Sequence, residues 1–543
     1  MRRGAAARPL VAGIALSVAL GVWGTGAGAQ QVAAPELVAA ACALPREYLV
    51  RIWRGVDPSR SAELLVVPEE PNFLGTNFPH SGPWNYLQRV PLLWYGPGVI
   101  PAVGAVDRPV TIASIAPTEA RLLGFGFDAP DGRALREVAQ AAPATPPRLI
   151  VTLVWDGGGR NVLDAWPDAW PYLRSLIPRG VWYERATVGS SPSITPATHA
   201  TIGAGAFPRR TGQVDSEFRL GPFITRSGAL GPGLLMRPTL ADLYDRAMGN
   251  EPEVGVVASV TWHLNMMGHG AMWGGGDRDL AVLRGSTEDE GAEGDAWNLQ
   301  GKNRPFYRFP SYVNRLPPIS AYTRRLDQQD GALDGRWRDN DIAQLRDGWD
   351  TPARVPYQTR VVEEVVRREG FGDDDVPDLL FVNYKIIDHV GHVWSANGVE
   401  MGDTVAWQDR GLRELVRFLD RAVGRGAWAG VTADHGHQFD TGVSGGFGVP
   451  PRELQADLTA AFDGDGDPRE AIELVRTSQV YLDLAELREN GHDVEDVARF
   501  VLRYTKGQVQ PGLPPDQADD RVFAAAIPTA DLAALPCLAG LGP

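Results

Sequence analysis

Positive charge is scarce in this chain. Lysine and arginine number 52 against 67 aspartates and glutamates, a formal net charge of -15. Removing residues 1–29, which hold three arginines and no acids, would bring it near -18. Such a balance leaves no basic stripe for stable nucleic-acid binding. It does not exclude small anionic substrates, because a bound metal ion supplies local positive charge. Cysteine is nearly absent: only Cys42 and Cys537 occur. In an oxidising compartment a lone pair is read as one disulfide. No stretch after residue 29 is long and apolar enough to cross a bilayer, and no sequence repeat is visible. Apolar residues at 44% and charged ones at 22% are ordinary for a globular protein, which excludes wholesale disorder.

The N-terminus reads as a secretory signal. Arg2, Arg3 and Arg8 form a basic lead, Leu10 to Trp23 an apolar core, and Ala27-Gly-Ala29 a small-residue cleavage site. The apolar run is short for a membrane anchor. The mature chain is therefore expected outside the cytoplasm, beginning near residue 30. Arg2-Arg3 alone does not select between the two export routes.

An α/β-like segment spans Tyr48 to Val138. A Pro/Ala-rich connector, residues 139–147, follows it. Three short apolar runs then read as buried parallel strands: Leu149-Ile-Val-Thr-Leu-Val-Trp155, Leu379-Leu-Phe-Val-Asn-Tyr384 and Ala427-Trp-Ala-Gly-Val-Thr-Ala433. Leu412, Leu415, Val416, Leu419 and Val423 share one face of a helix between the last two. Strands alternating with helices predict a mostly parallel sheet with helices on both faces. Residues 276–350, polar and rich in Gly and aromatics, read as an insertion or cap. Residues 451–510 read as a smaller α+β lobe, with a strand over 480–484 and a helix over 494–504.

Each apolar run leads into an acid. Asp156 follows the first and precedes three glycines; Asp434-His435-Gly436 follows the third. Asp388-His-Val-Gly-His392 begins four residues after the second. In open α/β sheets ligands bind at the carboxyl ends of strands, so these acids and histidines can converge. Carboxylate plus imidazole is a donor set that zinc accepts while keeping a position open for substrate. A single Asp after a strand is usually a cap or turn residue; three together, two with nearby histidines, favour a metal centre. Thr195, in Ser191-Pro-Ser-Ile-Thr195-Pro196-Ala-Thr-His199, is the candidate nucleophile. Pro196 suits the first helical position, which makes Thr195 the N-cap, where the dipole favours its alkoxide. Taken alone it would be an ordinary cap.

Together these segments resemble the alkaline phosphatase superfamily, specifically its type I phosphodiesterase/nucleotide pyrophosphatase branch. The resemblance implies an alkaline-phosphatase-like α/β fold and a two-zinc phosphoric ester hydrolase. Asp156, Thr195, Asp434 and His435 would hold one zinc; Asp388, His392 and a third histidine the other. Thr195 would attack phosphorus in line, leaving a phospho-threonine that zinc-activated hydroxide hydrolyses. His and Asp ligands would also tolerate other divalent metals.

In the family the third histidine sits late, before a strand like Val-Pro-Leu-Leu-Phe-Tyr-Gly-Pro-Gly. Here the similar stretch is at the front: Thr76-Asn-Phe-Pro-His80-Ser-Gly-Pro-Trp84, then Val90-Pro-Leu-Leu-Trp-Tyr-Gly-Pro-Gly98. Ile115 to Leu123 and Asp131 to Glu137 continue the family's usual end. Residues 30–138 thus resemble its C-terminal part moved forward, a circular permutation. Residues 139–147 would bridge the old ends, and 148–543 would carry the main catalytic part of one catalytic domain, 30–543. Cys42 and Cys537 flank the new break, which a disulfide could close. On this reading folding must bring His80 to Asp388 and His392.

Two departures bear on substrate. Many family phosphodiesterases place an Asn downstream of the nucleophile on a phosphate oxygen; that position here is Ser216. Monoesterase relatives carry a Lys-x-Arg pair where this chain has Thr261 and His263, which removes charge-assisted contacts from a monoester's dianion. The expected function is a secreted phosphodiesterase or nucleotide pyrophosphatase acting on small-molecule diesters or nucleotides. The alternatives are a phosphomonoesterase and a non-catalytic binding protein on the same fold. Oligomeric state is not readable.

Overall fold

A computed structural model describes residues 34–541 apart from 144, 285–295, 300, 425–426 and 465. The signal segment expected over 1–29 and its expected cleavage site lie outside the described residues. The molecule is mixed α/β, organised around a ten-stranded sheet. Its strands, in chain order, are β1 (Leu92–Tyr95), β2 (Gly104–Thr111), β3 (Leu149–Trp155), β4 (Val181–Thr187), β5 (Val254–Ala258), β6 (Asp279–Arg284), β7 (Trp297–Asn298), β8 (Tyr307–Arg308), β9 (Asp378–Tyr384) and β10 (Ala427–Thr432). They lie side by side as β7-β6-β5-β9-β3-β10-β1-β4-β2, with β8 also on β6. From β6 to β10 all neighbours are parallel. The exception inside the sheet is β1, antiparallel to both β10 and β4.

The apolar runs behave as a doubly covered sheet requires. Every residue of β3 and β9 is buried. Alternate side chains enter different cores: Leu149, Val151, Leu153 and Trp155 on one face, Ile150 and Val154 on the other. Helices cover the first face, chiefly α2 (Arg354–Glu369) and α4 (Val399–Ala422). (α1, Thr195–Ala204, and α3, Ile386–Trp394, carry parts of the site described below.) The stripe expected on α4 is buried, with Leu412, Leu415, Val416 and Leu419 each at most 4% exposed.

Two boundaries differ from the sequence reading. The start of 276–350 builds the sheet edge rather than covering it, because β6 hydrogen-bonds onto β5, and β7 and β8 onto β6. Its aromatics Trp297, Trp337 and Trp349 are buried in the core beside α2 and α4. The small lobe draws on more than 451–510. Its four-stranded sheet places Ile472–Val475 and Gln479–Leu482 beside Leu64–Pro68 and Phe523–Pro528. The helix there runs Val494–Arg503. The connector 139–147 has no helix or strand among its described residues.

Cys42 and Cys537 form a disulfide, 495 positions apart in sequence, Cα atoms 5.6 Å apart. It joins helix Pro35–Ala43 to the turn Pro536–Leu538. Cross-linking positions this distant restricts the unfolded chain strongly. Cys42→Ser, Cys537→Ser and the double variant are each expected to lose about 2–5 kcal/mol of stability. Denaturant unfolding should place all three at one midpoint, because either single change removes the whole bond.

Candidate metal centre

The sheet aligns the site by register. Tyr384 pairs with Trp155, and Thr432 with Val154. The next residues of the three parallel strands therefore leave from the same edge: Asp156, then Lys385, then Asp434. α3 begins at once after β9 and places Asp388 and His392 one turn apart. Close approach of these loops demands glycine. A Cβ on Gly157 would sit 2.9 Å from the Asp388 Cα, at φ +73°; one on Gly391 would strike the His437 ring at 2.5 Å.

α1 begins at Thr195, with Ile194 as the N-cap. Thr195 is thus the first helical residue and Pro196 the second, one place later than expected. The proline still costs nothing there, since the first N–H groups have no helical partner. Thr195 is 4% exposed, and its Oγ1 accepts a 2.9 Å hydrogen bond from the Lys385 ammonium.

His80 arrives from the front of the chain. Its Nδ1 lies 2.9 Å from the Ser193 carbonyl, and Ser193 Oγ donates to the His80 carbonyl at 2.7 Å. These two bonds fix the His80 loop against the approach to α1. His80 Nε2 lies 3.4 Å from Asp388 Oδ1, and its ring stacks on His435 with centroids 3.5 Å apart. The structure therefore brings His80 to Asp388, as the front-segment resemblance requires. His392 Nε2 lies 3.5 Å from the same oxygen, and its Nδ1 2.7 Å from the Asn77 carbonyl. Across the centre, His435 Nε2 lies 3.2 Å from Asp434 Oδ2 and 3.6 Å from Asp156 Oδ1. Among the described residues three overlapping groups able to hold an ion result: His80, Asp388, His435 and His437; Asp156, Asp434 and His435; and Asp156, His199 and His263.

The donor chemistry fits divalent metal. His435 Nε2 is buried, has no hydrogen-bond partner, and faces three carboxylates. Burial holds the His80 and His392 imidazoles below their usual pKa, in the neutral form that coordinates metal. Burial opposes charge on His435 too, but Asp434 and the neighbouring carboxylates outweigh it and raise the group to about 9.

Three participants were not singled out from sequence. Lys385 is 7% exposed and its ammonium contacts Asp156 Oδ1 at 2.8 Å and Asp388 Oδ2 at 2.7 Å. Burial would raise both carboxyls, yet the Lys385 charge holds them well below the usual carboxylate range. Asn383 Nδ2 donates to Asp156 Oδ2 at 2.8 Å. His437 is fully buried with Nε2 3.1 Å from Asp388 Oδ1. A signal existed for the first two: Asn383 and Lys385, two apart at the end of a strand, point the same way as each other.

The centre opens into a cleft of about 650 Å³ lined by Thr195, Lys385, Asp388, His392, Ser216 and Trp262, among others. Thr261 and His263 are buried, and His263 Nε2 lies 3.4 Å from Asp156 Oδ2, in the wall behind that ligand. Trp262 between them is the cleft-lining residue.

A family described as type I phosphodiesterase / nucleotide pyrophosphatase matches residues 150–445. The chain is 24% identical over 438 residues to alkaline phosphatase PafA of Elizabethkingia meningoseptica, covering 72% of this chain and 79% of that protein. It is 35% identical over 86 residues to alkaline phosphatase PhoV of Synechococcus elongatus, 16% of each. Overlay on the crystal structure of wild-type PafA gives a TM-score of 0.47 at 18% identity, covering 70% of this chain and 83% of that one.

Lys385 is the cation that offsets the carboxylates when no metal is bound. Lys385→Met should therefore destabilise metal-stripped protein by about 3–5 kcal/mol, the cost of breaking a buried pair. Urea unfolding with and without added zinc tests this. Zinc should recover most of the loss, and a variant as stable as wild type without metal would contradict it.

Proposed function

This chain belongs to the type I phosphodiesterase/nucleotide pyrophosphatase family, and from that premise we propose that it is a secreted, two-metal phosphodiesterase or nucleotide pyrophosphatase. The family makes it a phosphoesterase acting on small phosphoesters; the finer reading rests on the site. Its main support is Thr195, buried at the start of α1 and opening into the cleft between the two ligand groups.

Asp156, Thr195, Asp434 and His435 would hold one zinc, and Asp388, His392 and His80 the other. When bound, the ions neutralise phosphoryl charge and lower the pKa of an oxygen nucleophile. The chain's own groups do the rest. The N-terminal end of α1 favours negative charge on Thr195 Oγ1. The Lys385 ammonium, 2.9 Å from that oxygen, favours it further. Thr195 Oγ1 bonds to phosphorus as the bond to the leaving alcohol or phosphate breaks. Water then cleaves the phospho-threonine and returns the hydroxyl. Asn383 and His437 hold Asp156 and Asp388 in place.

Substrate preference follows from what flanks this centre. Ser216 lines the same cleft and supplies one hydroxyl toward a phosphate oxygen. Thr261 and His263 offer no cation for a monoester's extra charge, which favours diesters and pyrophosphates. A second reading, a phosphomonoesterase, draws on two relatives that bear the name alkaline phosphatase. Arg346 and Arg476 also line the cleft, though each is paired with an acid, Asp350 and Glu217.

The same reading takes residues 30–138 as the family's C-terminal part placed first. In its favour, β1 from that segment lies between β10 and β4 of the main sheet, and the disulfide ties position 42 to position 537. Export is supported by the signal-like start and by the disulfide. No helix among the described residues is long and apolar enough to cross a membrane.

Thr195→Ala should lower kcat/KM for bis(para-nitrophenyl) phosphate by about a thousandfold or more. Chelation should abolish turnover and zinc restore it. Wild-type protein should prefer the diester over para-nitrophenyl phosphate. A Thr195→Ala variant with near-normal diester turnover would sink the nucleophile assignment, and a strong monoester preference would turn the reading to the second one.

A further inference from the structure

A second cluster of acids lies away from this centre. Asp245 sits in the last turn of the helix Leu240–Ala247. The chain returns through Gly274, Gly275 and Gly276 to Asp277 and Asp279, and Asp279 opens β6. One oxygen from each of Asp245, Asp277 and Asp279 lies within 4.8 Å of the others. Because β6 runs parallel to β5 and β9, its first residue is at the opposite edge of the sheet from Asp156 and Asp434. Arg278, between the two acids, turns away and donates to the Tyr307 carbonyl at 3.0 Å.

The cluster is not a solvated acidic patch. Asp245 is 4% exposed and Asp279 8%, with Asp277 at the surface. Asp245 Oδ1 is buried and has no hydrogen-bond partner. No lysine, arginine or histidine among the described residues pairs with any of the three. Arg308, which also acts on Asp279, is taken up by Glu253 and Glu369. Arg246, next to Asp245, is exposed. The C-terminal end of a helix is itself negative and does not offset these acids. Burial, reinforced by neighbouring acids, pushes Asp245 up to about 7 and Asp279 well above its usual range. Such groups either hold protons or hold a cation.

Half-buried Asn250 holds the neighbouring glycine loop. Its Oδ1 is buried without a donor, while its Nδ2 donates to the Gly275 carbonyl at 3.2 Å. Carboxylate and amide oxygens without nitrogen or sulfur select hard ions over zinc. We propose that Asp245, Asp277 and Asp279 bind a divalent cation of the calcium class, which fastens the glycine-rich 274–276 loop between the helix end and β6. The site is structural and independent of the hydrolytic centre.

Calorimetric titration of calcium chloride into the zinc-loaded full chain should show one saturable site and raise the thermal midpoint. Asp277→Asn changes an exposed residue, so its fold is retained. It should weaken calcium binding roughly tenfold or more, leaving phosphodiester turnover in zinc unchanged. Asp279→Asn should do the same or worse. Absence of saturable calcium binding to wild type would overturn the proposal. So would equal affinity in wild type and Asp277→Asn, which would place the calcium elsewhere.

Discussion

Three buried carboxylates gathered where adjacent strands end, Asp156 and Asp434 just past β3 and β10 and Asp388 in the first turn of α3, set the terms for the rest of this molecule. Like charges brought together out of water repel, and burial disfavours a charged group. Positive charge held among them opposes both effects. Lys385 provides it at hydrogen-bond distance to two of the three, and a ring of imidazoles faces the same oxygens. The arrangement is costly for folding and suited to metal binding. Its cost falls on the most buried part of the sheet, where seven-residue strands packed on both faces leave little freedom to relax.

That rigidity holds the Thr195 hydroxyl, the proposed nucleophile, in place. Thr195 has no freedom of its own to find a substrate; it is fixed by α1, which packs on the sheet. Its approach loop is in turn pinned by His80 through two hydrogen bonds to Ser193. On the proposed assignment, a metal ligand and the nucleophile's support would be the same loop. Loss of the His80 side chain would remove one of the bonds to Ser193 and, on that assignment, a metal donor, so its effects on metal affinity and on Thr195 geometry would be physically coupled.

Much of this was readable before any coordinates. The three apolar runs became the central strands because continuous apolar stretches can only be buried on both faces, and the acids after them became neighbours because parallel strands share an edge. Resemblance to the phosphodiesterase family followed from those same acids with Thr195. What was not readable depended on packing. The strands at 279–284 and 307–308 are short and flanked by polar sequence, so nothing local marked them as sheet edge. Lys385 looked like a strand-end residue because a single lysine carries no pattern; only its burial against Asp156 and Asp388 gives it meaning. His437 was indistinguishable from a surface histidine until Gly391 and Gly157 let two loops close over it. Nothing in the sequence links Asp277 and Asp279 to Asp245, which lies about thirty residues away and is joined to them by the fold alone.

On the permuted reading, the position of His80 in the chain would illustrate how little the centre depends on segment order. A strand sequence such as Val90 to Tyr95 can enter the sheet at any stage of synthesis, provided its place beside β10 is kept. The geometry seen by a metal ion is set by which strand ends meet, not by which was made first. Order matters instead to the free ends. Moving a segment from the back of a chain to the front creates termini where a continuous backbone once lay. On the permuted reading the Cys42–Cys537 bond would restore a covalent link across those ends, beside the lobe that the first and last strands build together. The disulfide and the connector 139–147 would then be two halves of one change: one closing the opening that the permutation made, the other spanning the ends that it joined.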